Sequence, residues 1–205
     1  MTGETILAID SATGPCSVAV WKDGRVAAYK ENLHPAAQSS VLMPMIEAAL
    51  ADSGIGYGDL SAVAATVGPG SFTGIRVGLA AARGIAFAAG IKSLGFTTLE
   101  TMAFAARARG ERILSLLHAG KGEYYYQLFE AVPGWRALSE PMLGALEQAM
   151  ALSKGAVIAG NVEGATSAFP RADALAELAA TRTAAQPLKA FYIRPPDAKL
   201  PVKKL

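Results

Sequence analysis

The chain has 205 residues, enough for one large domain or two small ones, and 52% of them are hydrophobic against 18% charged. That balance supports a substantial buried core and excludes an intrinsically disordered chain. A formal net charge of +2 is too small to mark a dedicated nucleic-acid module, whose basic patch is denser. The one local cluster, Lys199, Lys203 and Lys204, reads as a solvated terminus. Cys16 is the single cysteine, so no intrachain disulfide forms, which fits a reducing cytoplasm. The opening MTGETILAID lacks a signal peptide's basic start and long apolar stretch, and no run of roughly 18 apolar residues suggests a membrane span. The expectation is a soluble, cytoplasmic protein.

Residues 5–10 (TILAID) form a short apolar run of the kind that makes a buried strand. The turn Ser11-Ala12-Thr13-Gly14-Pro15 leads to a second strand over 16–21, and the Asp23-Gly24 pair that follows is a strong hairpin signal. A third strand over 26–31 completes an antiparallel meander. From 38 to 52 the period changes: Val41, Leu42, Met45, Ile46, Ala49 and Leu50 recur at helical spacing and make one apolar stripe. Pro44 inside that stripe predicts a kinked or late-starting helix. After a glycine-rich break at 54–58, a strand over 60–67 runs into the loop Gly68-Pro69-Gly70-Ser71-Phe72-Thr73-Gly74.

A helix follows over about 74–89, where Gly74, Gly78, Ala81, Ala82 and Ala88 make a face with almost no side-chain bulk. Glycine inside a helix costs roughly 1 kcal/mol relative to alanine, and the expected return is very close packing on a neighbour. A short strand over 91–95 and the capping box Thr97-x-x-Glu100 lead into a helix ending near 109. Residues 1–109 thus read β-β-β-α-β-α-β-α, a first lobe. Residues 110–205 read as a smaller second lobe. It has a strand pair at 113–118 and 123–130, a weak helix near 145–153, a strand at 156–159, a helix at 172–181 and an extended, proline-containing tail. Both halves pair a hairpin with helices, as in a duplicated fold.

The glycine loop is the feature that most invites a chemical reading, and two nucleotide readings fail. A P-loop needs Gly-Lys-Ser/Thr, and no lysine is present here. A dinucleotide fingerprint needs G-x-G-x-x-G with an acid about 20 residues on; this loop is G-x-G-x-x-x-G and that region is apolar. Anion binding at the helix N-terminus stays open, but a tight turn feeding a closely packed helix is the favoured reading. Asp10, at the end of the first strand, can hold an attacking or metal-bound water beside a phosphate; alternatively it caps the turn by accepting from backbone N–H groups two residues on. Metal chemistry is poorly supported by two isolated histidines, His34 and His118, without H-E-x-x-H or C-x-x-C. Cys16 reads as a small core residue, and Ser71 is not in a G-x-S-x-G elbow. Of Tyr124, Tyr125 and Tyr126, alternating along a strand, at least one ring should be buried.

Several segments together closely resemble the bacterial TsaB (YeaZ) family: ILAIDSATGPCSVAVW at 6–21, QSSxLMP at 38–44 and, above all, VGPGSFTGIRVGLAAARGIAFAAGI at 67–91. TLETMA at 98–103, KGEYY at 121–125 and FYIRPPDAK at 191–199 agree. The resemblance implies an α/β fold of the actin-like/Hsp70-like ATPase (ribonuclease H-like) kind, with two related lobes and the second reduced. It implies a non-catalytic scaffold that dimerises with TsaD to support N6-threonylcarbamoyladenosine (t6A) formation in tRNAs reading codons that begin with A. TsaE is then the third member of the assembly, and tRNA is reached through the complex.

On this resemblance TsaD holds the metal, and the chain itself needs neither metal nor nucleotide and carries no catalytic residue. Asp10 and Ser11 are what is left of a phosphate loop for ATP or ADP. The family's partner surface lies on the first two helices, which maps here onto Leu42, Met45, Ile46, Gly74, Val77, Gly78 and Ala81. Free of TsaD, the same face would support a homodimer. Three departures point away from independent catalysis: Gln38 where family members often have histidine, His118-Ala119-Gly120 where they usually have Asp-Ala-Arg, and a somewhat short C-terminal half. The rival readings are a free-standing ATP-dependent phosphotransferase of the actin-like superfamily, resting on Asp10, and a metallopeptidase.

Overall fold

Alternating apolar residues along the first strands bury both of their faces, and the outcome in the computed structural model is a helix-covered sheet, twice over. The structure describes residues 4–194 apart from 35–36, 133, 161, 163–164, 168 and 182–185. The first sheet comprises β1 (Ile6–Asp10), β2 (Cys16–Lys22), β3 (Arg25–Asn32), β4 (Ala62–Thr66) and β5 (Lys92–Phe96), in the order β3-β2-β1-β4-β5. β1, β2 and β3 form the expected antiparallel meander, whereas β4 and β5 add in parallel beside β1. Leu7, Ile9, Val18, Val20, Val63 and Ala65 face one side; Ile6, Ala8, Ala19, Ala62 and Ala64 face the other.

The first side is covered by α1 (Gln38–Ser53) and α2 (Phe72–Ala89). α1 begins well before Pro44, so the helix does not start late; Pro44 sits on its exposed side. α2 is long and apolar enough, by length and composition alone, to cross a membrane, although Arg76 and Arg83 interrupt its apolar run. Here Ile75, Leu79, Ala82, Ile85 and Ala86 anchor it in the core.

The second sheet comprises β6 (Arg112–Gly120), β7 (Glu123–Glu130), β8 (Arg136–Ala137), β9 (Met142–Ala145), β10 (Val157–Gly160) and β11 (Thr166–Ser167). Its order, β11-β10-β6-β7-β8 with β9 also on β7, repeats the first: an antiparallel hairpin with two parallel strands on its far side. β10 ends at Gly160 and β11 begins at Thr166, a connection too short for any counterpart of α2. The remaining helices are α3 (Thr98–Ala105), α4 (Leu146–Ser153) and α5 (Ala172–Thr181).

The junction near residue 109 separates the two sheets in sequence, yet helices cross it. α3, from the first half, packs on β6 and β7, while α5, from the second, packs on β1 and β2. Of the tyrosine run, Tyr126 is buried, and Tyr124 and Tyr125 pack on opposite sides of the sheet.

Candidate functional site

The glycine loop joins β4 to α2 by threading between two other pieces of the chain. On one side the Ser71 N–H donates to the Ala12 carbonyl at 2.6 Å; on the other, the Phe191 N–H donates to the Val67 carbonyl and the Thr98 N–H to the Gly68 carbonyl, both at 2.8 Å. Gly68 has φ +112°, a left-handed value that disfavours any side chain, and a Cβ there would also collide with the Phe191 carbonyl. Gly70 is required differently: its Cβ would overlap the Ala12 carbonyl oxygen. Ser71 caps the helix by accepting from the Gly74 N–H at 3.3 Å.

Asp10 and Ser11 lie beneath this loop, 1% and 2% exposed. Thr66 Oγ1 donates to Asp10 Oδ1 at 2.6 Å, and the Ala12 N–H reaches the same oxygen at 3.4 Å, so Asp10 does cap the turn after β1. Burial pushes its pKa up from 3.8 to about 7, against the hydrogen bonds that favour the charged form. Ser11 Oγ donates to the Gly74 carbonyl at 2.8 Å. Gln38 donates to the Gly14 carbonyl. The serine hydroxyl is thus committed to α2 and the carboxylate is sealed under the loop, while Thr13 Oγ1 in the same turn is buried without a hydrogen-bond partner.

Four of the seven residues mapped to a partner surface face the protein's own interior. Leu42 and Ile46 are core residues under α1, 1% and 0% exposed. Gly74 and Gly78 are buried against β1, where a Cβ would overlap the Ser11 carbonyl oxygen and Ser11 Oγ respectively. Met45, Val77 and Ala81 are half-buried and pack on the same core. The physical reason is that the apolar stripe of each helix covers the first sheet, while Ala81, at the edge of that stripe, also lines the groove on the outer side.

What faces outward is a second stripe. Ala80, Gly84 and Ala88 on α2 meet Met43 of α1, Tyr57 and Gly58 along an apolar groove of about 540 Å³. Met43 is 44% exposed, and the neighbouring Phe87 is 91% exposed. Gly84 has nothing within 4 Å of where a Cβ would sit. Nothing inside the chain therefore calls for a glycine at this mid-helix position. Sequence spacing contained the signal, since residues 80, 84 and 88 are all small; it lacked the assignment of inside and outside.

Neither histidine belongs to a metal cluster: among the described residues no three of His, Cys, Asp and Glu are grouped to hold one. Cys16 is buried in β2 as a core residue, with Sγ 3.9 Å from Met45 Sδ.

Residues 34–191 match the family described as TsaD, tRNA N6-adenosine threonylcarbamoyltransferase, and this sets the class of protein to which the fold and loop correspond. The tRNA threonylcarbamoyladenosine biosynthesis protein TsaB of Escherichia coli (strain K12) is 43% identical over 127 residues, covering 61% of this chain and 54% of that protein. TsaB of Haemophilus influenzae is 37% identical over 128 residues, covering 62% and 54%. The chain spans about half the length of the curated relatives it matches. A solved structure from Pseudomonas aeruginosa, of an uncharacterized protein with similarity to peptidase YEAZ, superposes with a TM-score of 0.83 at 24% identity. That superposition covers 93% of this chain and 100% of that one, so the two share a fold. The chain belongs to the TsaD family and, within it, is similar to the proteins named TsaB and YeaZ.

Proposed function

We propose that this chain is a non-catalytic accessory subunit in t6A biosynthesis that pairs with the threonylcarbamoyltransferase TsaD through the outer faces of α1 and α2. The observation that carries the reading is the groove around Gly84. A mid-helix glycine costs roughly 1 kcal/mol relative to alanine, and no contact within the chain requires it. A second helix laid along Ala80, Gly84 and Ala88 would use the missing side chains, and it would cover Met43 and Phe87. Contiguous exposed apolar surface of this kind marks an interaction site.

Non-catalysis is supported by the internal commitments of Asp10 and Ser11 and by the absence of a metal cluster among the described residues. In this reading the chain needs no nucleotide or metal of its own, works in the cytoplasm with TsaE as a further member, reaches tRNA through the assembly, and forms a homodimer when TsaD is absent. Reconstitution tests it. The purified chain alone should form no t6A, and adding it to TsaD, TsaE, ATP and threonylcarbamoyl-adenylate should switch formation on. Full activity of TsaD without the chain would end the reading.

A further inference from the structure

The segment after residue 185 straps the two sheets together and brings a tyrosine onto the exposed start of α2. Gln186 pairs with Gly95 beside β5, Arg83 of α2 holds the Leu188 carbonyl, and Arg194 donates to the Ala119 carbonyl and pairs with Glu123 at the β6–β7 turn. Between these anchors, Tyr192 stacks on Phe72, with centroids 5.8 Å and planes 29° apart. The Arg76 guanidinium lies 3.7 Å above the centre of the Phe72 ring, and its Nε donates to the Tyr192 hydroxyl at 3.4 Å. The stack stays open to water: Phe72 is 51% and Tyr192 39% exposed. Among the described residues neither Arg76 nor Lys189, which lies just upstream of Tyr192, forms an ion pair with a carboxylate.

We propose that this aromatic–guanidinium stack is a platform for single-stranded RNA, with a base lying on the exposed Tyr192 ring, which Phe72 backs, and flanking phosphates meeting Arg76 and Lys189. Stacking on aromatic rings beside unpaired cations is how proteins hold single strands without reading their sequence. An apolar protein partner would gain from the rings but not from the uncompensated charge. A duplex hides its base faces from such a platform. That the strand is RNA rests on the tRNA-modification reading above. The small net charge fits an auxiliary contact of a few phosphates and not a dedicated RNA-binding module.

Fluorescence anisotropy of a labelled, unstructured single-stranded RNA with the full chain alone tests the platform, and because TsaD is absent a failure of subunit pairing does not enter. The single strand should bind more tightly than a duplex RNA of equal length. Tyr192→Ala should weaken it roughly tenfold, while Tyr192→Phe, which keeps the ring, should bind as the unaltered chain does. Arg76→Gln should lower the slope of log affinity against log salt by about 0.7. No binding at low salt, equal binding of duplex, or a Tyr192→Ala variant indistinguishable from Tyr192→Phe would overturn the proposal.

Discussion

The two sides of α2 carry glycines for different reasons. On the inner side, Gly74 and Gly78 let the helix approach β1 so closely that Ser11 fills the space where their side chains would be. On the outer side, Gly84 faces open space. Glycine in a helix has the same local cost in both places, but only the inner pair recovers it within the fold. The outer glycine makes sense when something outside the chain lies against it. Internal packing and external recognition can therefore be separated on one helix by asking what a methyl group would touch.

The comparison breaks most visibly at Gly74. Gly74→Ala drives a methyl group into the Ser11 backbone carbonyl, and loss of a cooperative urea transition is expected; a normal melt would mean that β1 and α2 are not so tightly joined. The buried acid beside them gives the next effect. The folded state holds the Asp10 proton up to about pH 7, whereas the unfolded chain releases it near pH 3.8. Stability is therefore full below the lower value, falls as pH rises between the two, and is flat above. The loss is on the order of 4 kcal/mol at most. Asp10→Asn should remove that slope in urea melts compared at about pH 5 and about pH 8; an unchanged slope would place its cause elsewhere.

Gly78→Ala is milder, because the Ser11 hydroxyl can rotate away at the cost of its bond to the Gly74 carbonyl. A loss of about 1–3 kcal/mol is expected, again read by urea melts. The smallest effect has the opposite sign. Gly84→Ala should stabilise the isolated chain by about 0.5–1 kcal/mol, seen as a raised melting temperature; destabilisation would show an internal constraint at that position.

Much of this plan is legible in the sequence. The Asp23-Gly24 hairpin, the loop between β4 and α2, the β6–β7 pair and the α5 span fall where turn residues and periodicity put them. The strands β8, β9 and β11 are only two to four residues long, too short for alternation to register. The exchange of α3 and α5 between sheets depends on packing between distant segments, which local pattern does not encode. The site was half legible for a similar reason. Periodicity shows that Leu42 and Ile46 share a face, or that Gly74 and Gly78 do, without saying whether the chain or a partner covers it. A substitution such as Gly78→Leu would therefore confuse unfolding with lost association, whereas Gly84 separates the two. Likewise the strap from Gln186 to Arg194 reads only as an extended tail until its contacts with the loop and the β6–β7 turn are seen.

The most direct measurement is sedimentation velocity of this chain mixed with TsaD, comparing the unaltered chain with Gly84→Leu, whose side chain projects into the open groove. The account predicts a heterodimer for the unaltered chain. It predicts separate species for Gly84→Leu at the same concentration, with the variant's own melt no worse than that of the unaltered chain. A Gly84→Leu chain that co-sediments with TsaD as well as the unaltered one would contradict it.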